Sequence, residues 1–275
     1  MALKLRYKVW GEGTRTLVLL HGFTGNSSTW DHLQPHWSQH VRAVAVDMPG
    51  HGETPLPEKM GRDGWDEVVT SVIELIMDLG ESEVDLLGYS QGARVALGVA
   101  MRSPDRIRRL VLESVNPGLK RSQERQVRQG QDEALAASIE AEGLSAFVDK
   151  WEQQPVFEGL RKLPEETQAQ IRARRLSGTV QGYAGALRCM GLGAQPSYWG
   201  ELPMLFVPTL IITGQNDAKF TEFAKRMTTD MRHAWRKSFE GSGHSPHMET
   251  PEPYAEEVRA FVTAPYYSRA ETFGT

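Results

Sequence analysis

The sequence predicts an α/β fold: a mostly parallel sheet with helices on both faces and an inserted helical cap. Three observations carry that expectation. Short apolar runs alternate with helical patterns up to about residue 115 and resume after residue 206. Residues 116–206 carry helical patterns only. An apolar run leads straight into Gly88-Tyr89-Ser90-Gln91-Gly92, and a helical pattern follows at once.

The strands rest on aliphatic and β-branched runs at 17–20, 43–46, 84–87, 110–112 and 210–213. They lack the in-out alternation of a half-solvated strand, as expected when helices cover both faces of a parallel sheet. Residues 3–10 alternate more and read as an antiparallel edge strand, and 234–239 is strand-like as well. Helical periodicity at 65–79, 91–101 and 253–262 separates the strands, the pattern of an open α/β sheet. Between the runs 110–112 and 210–213 the alternation stops, and helices are expected at 122–142, 144–151, 165–176 and 180–190. The chain therefore divides into a core, 1–115 with 207–275, and a cap, 116–206, over the carboxyl edge of the sheet where such folds bind ligands. Residues 264–275 have no clear period and read as a loose tail or a packed arm.

Hydrophobic residues make up 40% of the 275 and charged residues 24%, enough for a sizeable soluble core. A net charge of −4 gives no electrostatic reason to expect nucleic acid or an anionic membrane as partner. The single cysteine, Cys189, excludes an internal disulfide and fits a reducing compartment. The start of the chain lacks the apolar stretch of a secretory signal, and no run of about 18 apolar residues is present to span a bilayer. The expectation is a soluble, cytoplasmic protein acting on a small molecule, with its oligomeric state open.

Gly-x-Ser-x-Gly between a strand and a helix is a nucleophile elbow. The glycines let the chain turn so tightly that Ser90 stands at the tip, its hydroxyl at the start of the helix. A hydroxyl reacts only when a neighbour takes its proton. The chain order Ser…Asp…His directs the search to the ends of later strands. Asp217, in Gly214-Gln215-Asn216-Asp217, follows the run 210–213; its ordinary alternative is a turn or helix-cap aspartate. His244, in Gly241-Ser242-Gly243-His244, follows 234–239 and is the expected base, with His247 as the nearby rival. His21-Gly22-Phe23-Thr24-Gly25 follows the run 17–20, so the backbone N–H groups of Phe23 and Gln91 are placed to form an oxyanion hole. His21 reads as a structural residue of that loop, and no chemistry is assigned to Asp47 or His51. The eight histidines are scattered, and no cluster has metal-ligand spacing.

These motifs occur in order with Asp47-Met48-Pro49-Gly50-His51-Gly52, Trp151-Glu152-Gln153-Gln154-Pro155-Val156-Phe157 and Gly191-Leu192-Gly193-Ala194-Gln195-Pro196. Together they resemble the 2-succinyl-6-hydroxy-2,4-cyclohexadiene-1-carboxylate synthases of menaquinone biosynthesis, pyruvate-eliminating lyases with the α/β-hydrolase fold. The elbow and the His21 and His244 segments are shared by many α/β-hydrolases. The Trp151 and Gly191 segments, with an arginine four residues after Ser90, are far more specific. The sequence departs slightly: Ala93 stands where the family usually has glycine, and 264–275 extends past its usual end.

The resemblance implies a polycarboxylate substrate held by arginines and aromatic residues, with no metal or organic cofactor. By motif position the binding residues are Arg94, Arg175, Arg128 or Arg125, Trp151 and Tyr89. Planar bidentate contacts suit arginine to carboxylates. Arg94 lies one helical turn from Ser90, so both can face one pocket. The cap carries eight arginines and three lysines but also eleven acidic residues, so several arginines are expected in surface pairs instead. The triad would act as a proton-abstracting base in an elimination. A hydrolase of esters or carbon–carbon bonds, or a ligand-binding receptor on the same fold, would use the same framework, and pocket charge separates them.

Overall fold

The computed structural model describes residues 3–57, 60–61 and 64–265. Seven strands form one sheet: β1 (Arg6–Trp10), β2 (Arg15–Leu20), β3 (Val41–Asp47), β4 (Val84–Tyr89), β5 (Ile107–Glu113), β6 (Thr209–Gly214) and β7 (Ala234–Phe239). The strand order is β1-β3-β2-β4-β5-β6-β7, and only the β1–β3 pair is antiparallel. This is the α/β-hydrolase fold. The expected edge strand starts later than anticipated, at Arg6 rather than residue 3. β1 leaves Tyr7 and Val9 exposed, so its alternation does not mark a buried face.

The helices are α1 (Gln34–Trp37), α2 (Trp65–Asp78), α3 (Gln91–Arg102), α4 (Ser122–Glu152), α5 (Glu165–Leu176), α6 (Val180–Met190), α7 (Ala218–Asp230), α8 (Pro246–Glu249) and α9 (Pro251–Thr263). The central strands send alternate residues into two different cores. Val18, Leu20, Val44 and Val46 pack with Val68, Val72 and Leu97 of α2 and α3. Leu17, Leu19, Ala43 and Ala45 pack on the other face with Trp30, Trp37, Tyr254 and Phe261. Burial on both faces is why these runs read as continuous apolar segments.

Between β5 and β6 the described chain carries α4, α5, α6 and short 3-10 turns. α4 is broken at Gly143, whose φ of 82° is left-handed, so the separate helices expected at 122–142 and 144–151 are joined through a glycine kink. α4 and α6 share an apolar core of Ala136, Ile139, Phe147, Tyr183 and Leu187, which makes this insert a small packed unit. α7 was not anticipated: its sequence, AKFTEFAKRMTTD, is mostly polar and exposed, and only Ala224 and Met227 are buried. Of residues 264–275, only Ala264 and Pro265 lie within the described residues.

Candidate active site

The site lies at the carboxyl ends of the strands. Ser90 follows β4, has φ 50° and ψ −105°, and opens α3. A non-glycine residue held at positive φ costs about 1–3 kcal/mol, strain that the surrounding packing must absorb. The flanking glycines show how. A Cβ on Gly88 would lie 2.4 Å from the Gly92 carbonyl oxygen, and one on Gly92 would lie 2.2 Å from the Leu20 carbonyl oxygen. Only hydrogen fits at either position, so β2, β4 and α3 close around the turn and leave the serine hydroxyl at its tip.

His244 Nε2 lies 3.0 Å from Ser90 Oγ, and His244 Nδ1 lies 2.6 Å from Asp217 Oδ2. Asp217 occupies the N-cap position of α7 but makes no side-chain cap. Its carboxylate turns to His244 instead, which settles the ordinary alternative against the helix cap. With Asp217 accepting at Nδ1, the other imidazole nitrogen is presented to Ser90 as acceptor, the arrangement that lets a hydroxyl lose its proton. His247 does not compete. It is buried, and its Nδ1 pairs with Glu113 Oε1 at 2.7 Å, while Tyr254 donates to the other Glu113 oxygen.

Ser90 and His244 open into a cavity of about 270 Å³. Phe23 and Gln91 line it after β2 and at the first turn of α3. The loop carrying Phe23 is fixed by His21, whose Nε2 accepts the Met48 N–H at 3.0 Å while Nδ1 lies 2.7 Å from the Gly22 carbonyl. Burial holds the His21 imidazole neutral, its pKa pushed down to about 4. A neutral ring can accept at Nε2 and donate at Nδ1 simultaneously, which an imidazolium cannot.

Comparison with known proteins places this geometry in a lineage. The Alpha/beta hydrolase family profile matches residues 17–257. A Bacillus subtilis protein provisionally named 2-succinyl-6-hydroxy-2,4-cyclohexadiene-1-carboxylate synthase is 36% identical over 263 residues, spanning 94% of this chain and 96% of that one. This chain belongs to that synthase family of alpha/beta hydrolases. A synthase of the same name from Serratia proteamaculans is 28% identical over 93% of this chain and 96% of its own. The solved structure of MenH from S. aureus superposes with a TM-score of 0.89 at 33% identity, covering 93% of this chain and 97% of that one. A thermophilic esterase from Thermogutta terrifontis, 24% identical with a TM-score of 0.78 over 94% of this chain and 92% of that one, shares the fold alone.

For a member of this synthase family, the side chains around Ser90 are the informative part. Arg94 lines the Ser90 cavity and is buried. Its guanidinium donates to the Met190 carbonyl at 2.8 Å and to Gln195 Oε1 at 3.1 Å, and stacks 5.9 Å from the Trp65 ring centroid. No carboxylate pairs with it among the described residues. Burial, followed by the charge of Arg128, lowers its proton affinity, which an anion in the cavity would restore. Arg128 also lines the cavity, held by Asp132 Oδ1 at 2.7 Å. Arg125 is not in that lining; it folds back onto the carbonyls of Leu119 and Lys120. The structure thus separates two arginines that spacing left equivalent.

Tyr89 and Trp151 line the cavity. The Tyr89 hydroxyl lies 2.6 Å from Ser245 Oγ, tying the residue before Ser90 to the residue after His244. Arg175 does not line the Ser90 cavity. It pairs with Glu152 at 3.2 Å, covers the Phe157 ring at 4.6 Å, and faces a separate small cavity of about 50 Å³ that shares Phe23, Tyr89 and Phe157 with the larger one.

Sequence reasoning gave no site role to ten of the lining residues, four of them next to the ends of strands or at the start of α7. Ser114 and Asn116 come from the end of β5, and Lys219 and Phe220 from the first turn of α7. The Phe220 ring packs edge-on against His244 at 4.6 Å. Lys219 and Phe220 follow Asp217 within three positions, so the strand-end rule that found Asp217 had a signal for them. Ser114, with φ 51° and its hydroxyl donating to the His244 carbonyl at 2.8 Å, had none.

Proposed function

We propose that this chain is a carbon–oxygen lyase of menaquinone biosynthesis. It eliminates pyruvate from 2-succinyl-5-enolpyruvyl-6-hydroxy-3-cyclohexene-1-carboxylate to give 2-succinyl-6-hydroxy-2,4-cyclohexadiene-1-carboxylate. The observation that carries the reading beyond family membership is Arg94: a buried guanidinium without a carboxylate partner among the described residues, in the same cavity as Ser90 and His244. Burying an unpaired charge is costly, so such a group marks the seat of an anionic ligand. An esterase for neutral substrates gains nothing from it.

In this reading Ser90, polarised by His244, takes a proton from the substrate ring carbon and passes it to Nε2. Asp217 stabilises the imidazolium that forms. The electrons of the broken C–H bond move through the ring and expel the enolpyruvyl oxygen. The Phe23 and Gln91 amides stabilise negative charge developing on a substrate oxygen. His244 then returns its proton to the departing enolpyruvate, which becomes pyruvate. Arg94 and Arg128 hold carboxylates, while Trp151 and Tyr89 wall the ring. The insert between β5 and β6 acts as the cap that supplies Arg128 and Trp151, and Arg175 reaches substrate only by releasing Glu152. The substrate is a soluble metabolite, and we place the reaction in the cytoplasm. Among the described residues no helix is long and apolar enough to cross a membrane.

The test follows ring-product absorbance and pyruvate release together in oxygen-18 water. An elimination consumes no water, so neither product gains label beyond slow carbonyl exchange in pyruvate. Rapid cleavage of a simple aryl ester with label in the acid, and no pyruvate from the pathway intermediate, would move the protein to the hydrolases.

A further inference from the structure

The loop that carries His244 is held by a carboxylate outside the triad. Glu249, at the end of α8, accepts the Gly243 N–H at Oε2, 2.6 Å away, and the Ser245 N–H at Oε1, 3.0 Å away. Contact with Ser245 alone would be an ordinary reach-back cap for a short helix, since Ser245 precedes α8. The second oxygen does something a cap does not: it grips the amide on the other side of His244. One carboxylate therefore holds the backbone on both sides of His244, through the Ser242–Gly243 and the His244–Ser245 peptide groups.

The same carboxylate is also met by the insert, at Gly159. Gly159 has helical φ −62° and ψ −40°, so its backbone suits any residue. A Cβ there would nevertheless lie 1.9 Å from Glu249 Oε2 and 2.4 Å from its carboxyl carbon. The glycine is needed for approach, not for conformation. The segment 155–162 contributes Val156 and Phe157, which wall the Ser90 cavity beside Trp151, and Gly159, Gly243 and His244 border a common groove.

We infer that Glu249 is a positioning residue for His244, and that Gly159 keeps its carboxylate in place while seating the insert against the His244 loop. The inference rests on the reading of His244 as the base that serves Ser90. Hydrogen-bond distance between Nε2 and Oγ tolerates little displacement, and a supporting shell of this kind is what holds such geometry. Substrate contacts are untouched, so the effect falls on turnover rather than binding.

Two variants and three readouts test it. Glu249→Gln keeps the shape but turns an NH2 toward one of the two amides, donor against donor. Gly159→Ala removes no polar group and only displaces the carboxylate. In each, kcat for pyruvate release should fall about tenfold or more while KM stays within about twofold. Phosphonylation of Ser90 by a fluorophosphonate, which forms the Ser90 O–P bond, expels fluoride and sends the hydroxyl proton to His244, should slow by a similar factor. The downfield proton resonance of the His244 Nδ1–Asp217 hydrogen bond should shift or broaden. The last two readouts need no substrate, so they decide the point even if the lyase reading fails. Normal labelling and an unmoved resonance in both variants would overturn the inference, whatever happens to kcat. So would a rise in KM with kcat preserved.

Discussion

Replacing Arg94 by alanine removes a buried cation from the lining of the Ser90 cavity, and the contacts it makes set the size of the expected effect. A charge-assisted hydrogen bond contributes about 1.5–3 kcal/mol, so losing one substrate carboxylate contact should lower kcat/KM by about ten- to a hundredfold. The apo protein should barely notice. Truncation leaves the Met190 carbonyl and Gln195 Oε1 without their donor, a loss of about 1 kcal/mol each, but it also relieves the burial of a guanidinium that no carboxylate contacts and that Asp132 offsets only from a distance. The opposing contributions predict a Tm within a few degrees of wild type. Arg94→Lys should recover only part of the activity, because an ammonium cannot keep both protein contacts and a planar bidentate grip on a carboxylate. The assay is steady-state pyruvate release from the pathway intermediate, with thermal unfolding in parallel. An Arg94→Ala enzyme within twofold of wild-type kcat/KM would refute the assignment of this guanidinium to substrate.

Other outcomes follow from the same geometry. Ser90→Ala, Asp217→Asn and His244→Ala should each cut kcat severely, and pairs of them should cost little more than one, since the members act as a unit; additive losses in pyruvate release would argue against it. Arg128→Ala should raise KM, whereas Arg125→Ala should leave KM near wild type, because only Arg128 lines the cavity. His247→Ala should destabilise the fold by about 3 kcal/mol, by stripping a buried carboxylate of its partner, yet retain turnover in the folded fraction, as read by denaturant unfolding and kcat. Acid should unfold the protein early. Burial lowers the pKa of His21 and His32 to about 4 and of His51 to about 3, so the unfolded chain binds these protons first. Their contribution is present above about pH 6.5 and is lost as pH falls toward 4. Asp85, raised to about 6 by burial, opposes this as a single group against three. Tm against pH should therefore drop through that window.

How much of this was legible in the sequence depends on the range of the interaction. The strands buried on both faces were legible, because apolar runs such as 17–20 and 43–46 are too short for buried helices and alternate with helical patterns. The sequence also determined the elbow, because Gly88 and Gly92 flank Ser90 in a turn that excludes side chains. It placed Asp217 and His244 through chain order and strand ends. The kink at Gly143 was visible as a gap between two helical patterns. These are local facts, written in neighbouring residues. Only the tertiary structure shows which of two neighbouring arginines reaches the Ser90 cavity: Arg125 and Arg128 are three positions apart on α4, and the packing of that helix against α6 turns Arg128 inward. It alone showed that Arg175 is engaged by Glu152, 23 residues away in sequence, and that Ser114 bonds the His244 carbonyl from 130 residues away. It alone brought Gly159 against Glu249. Such contacts join segments whose spacing carries no period, so no reading along the chain could pair them. α7 is different: Phe220, Phe223, Ala224 and Met227 fall at i, i+3, i+4 and i+7, so its apolar stripe is local and was legible in the chain, though it went unread.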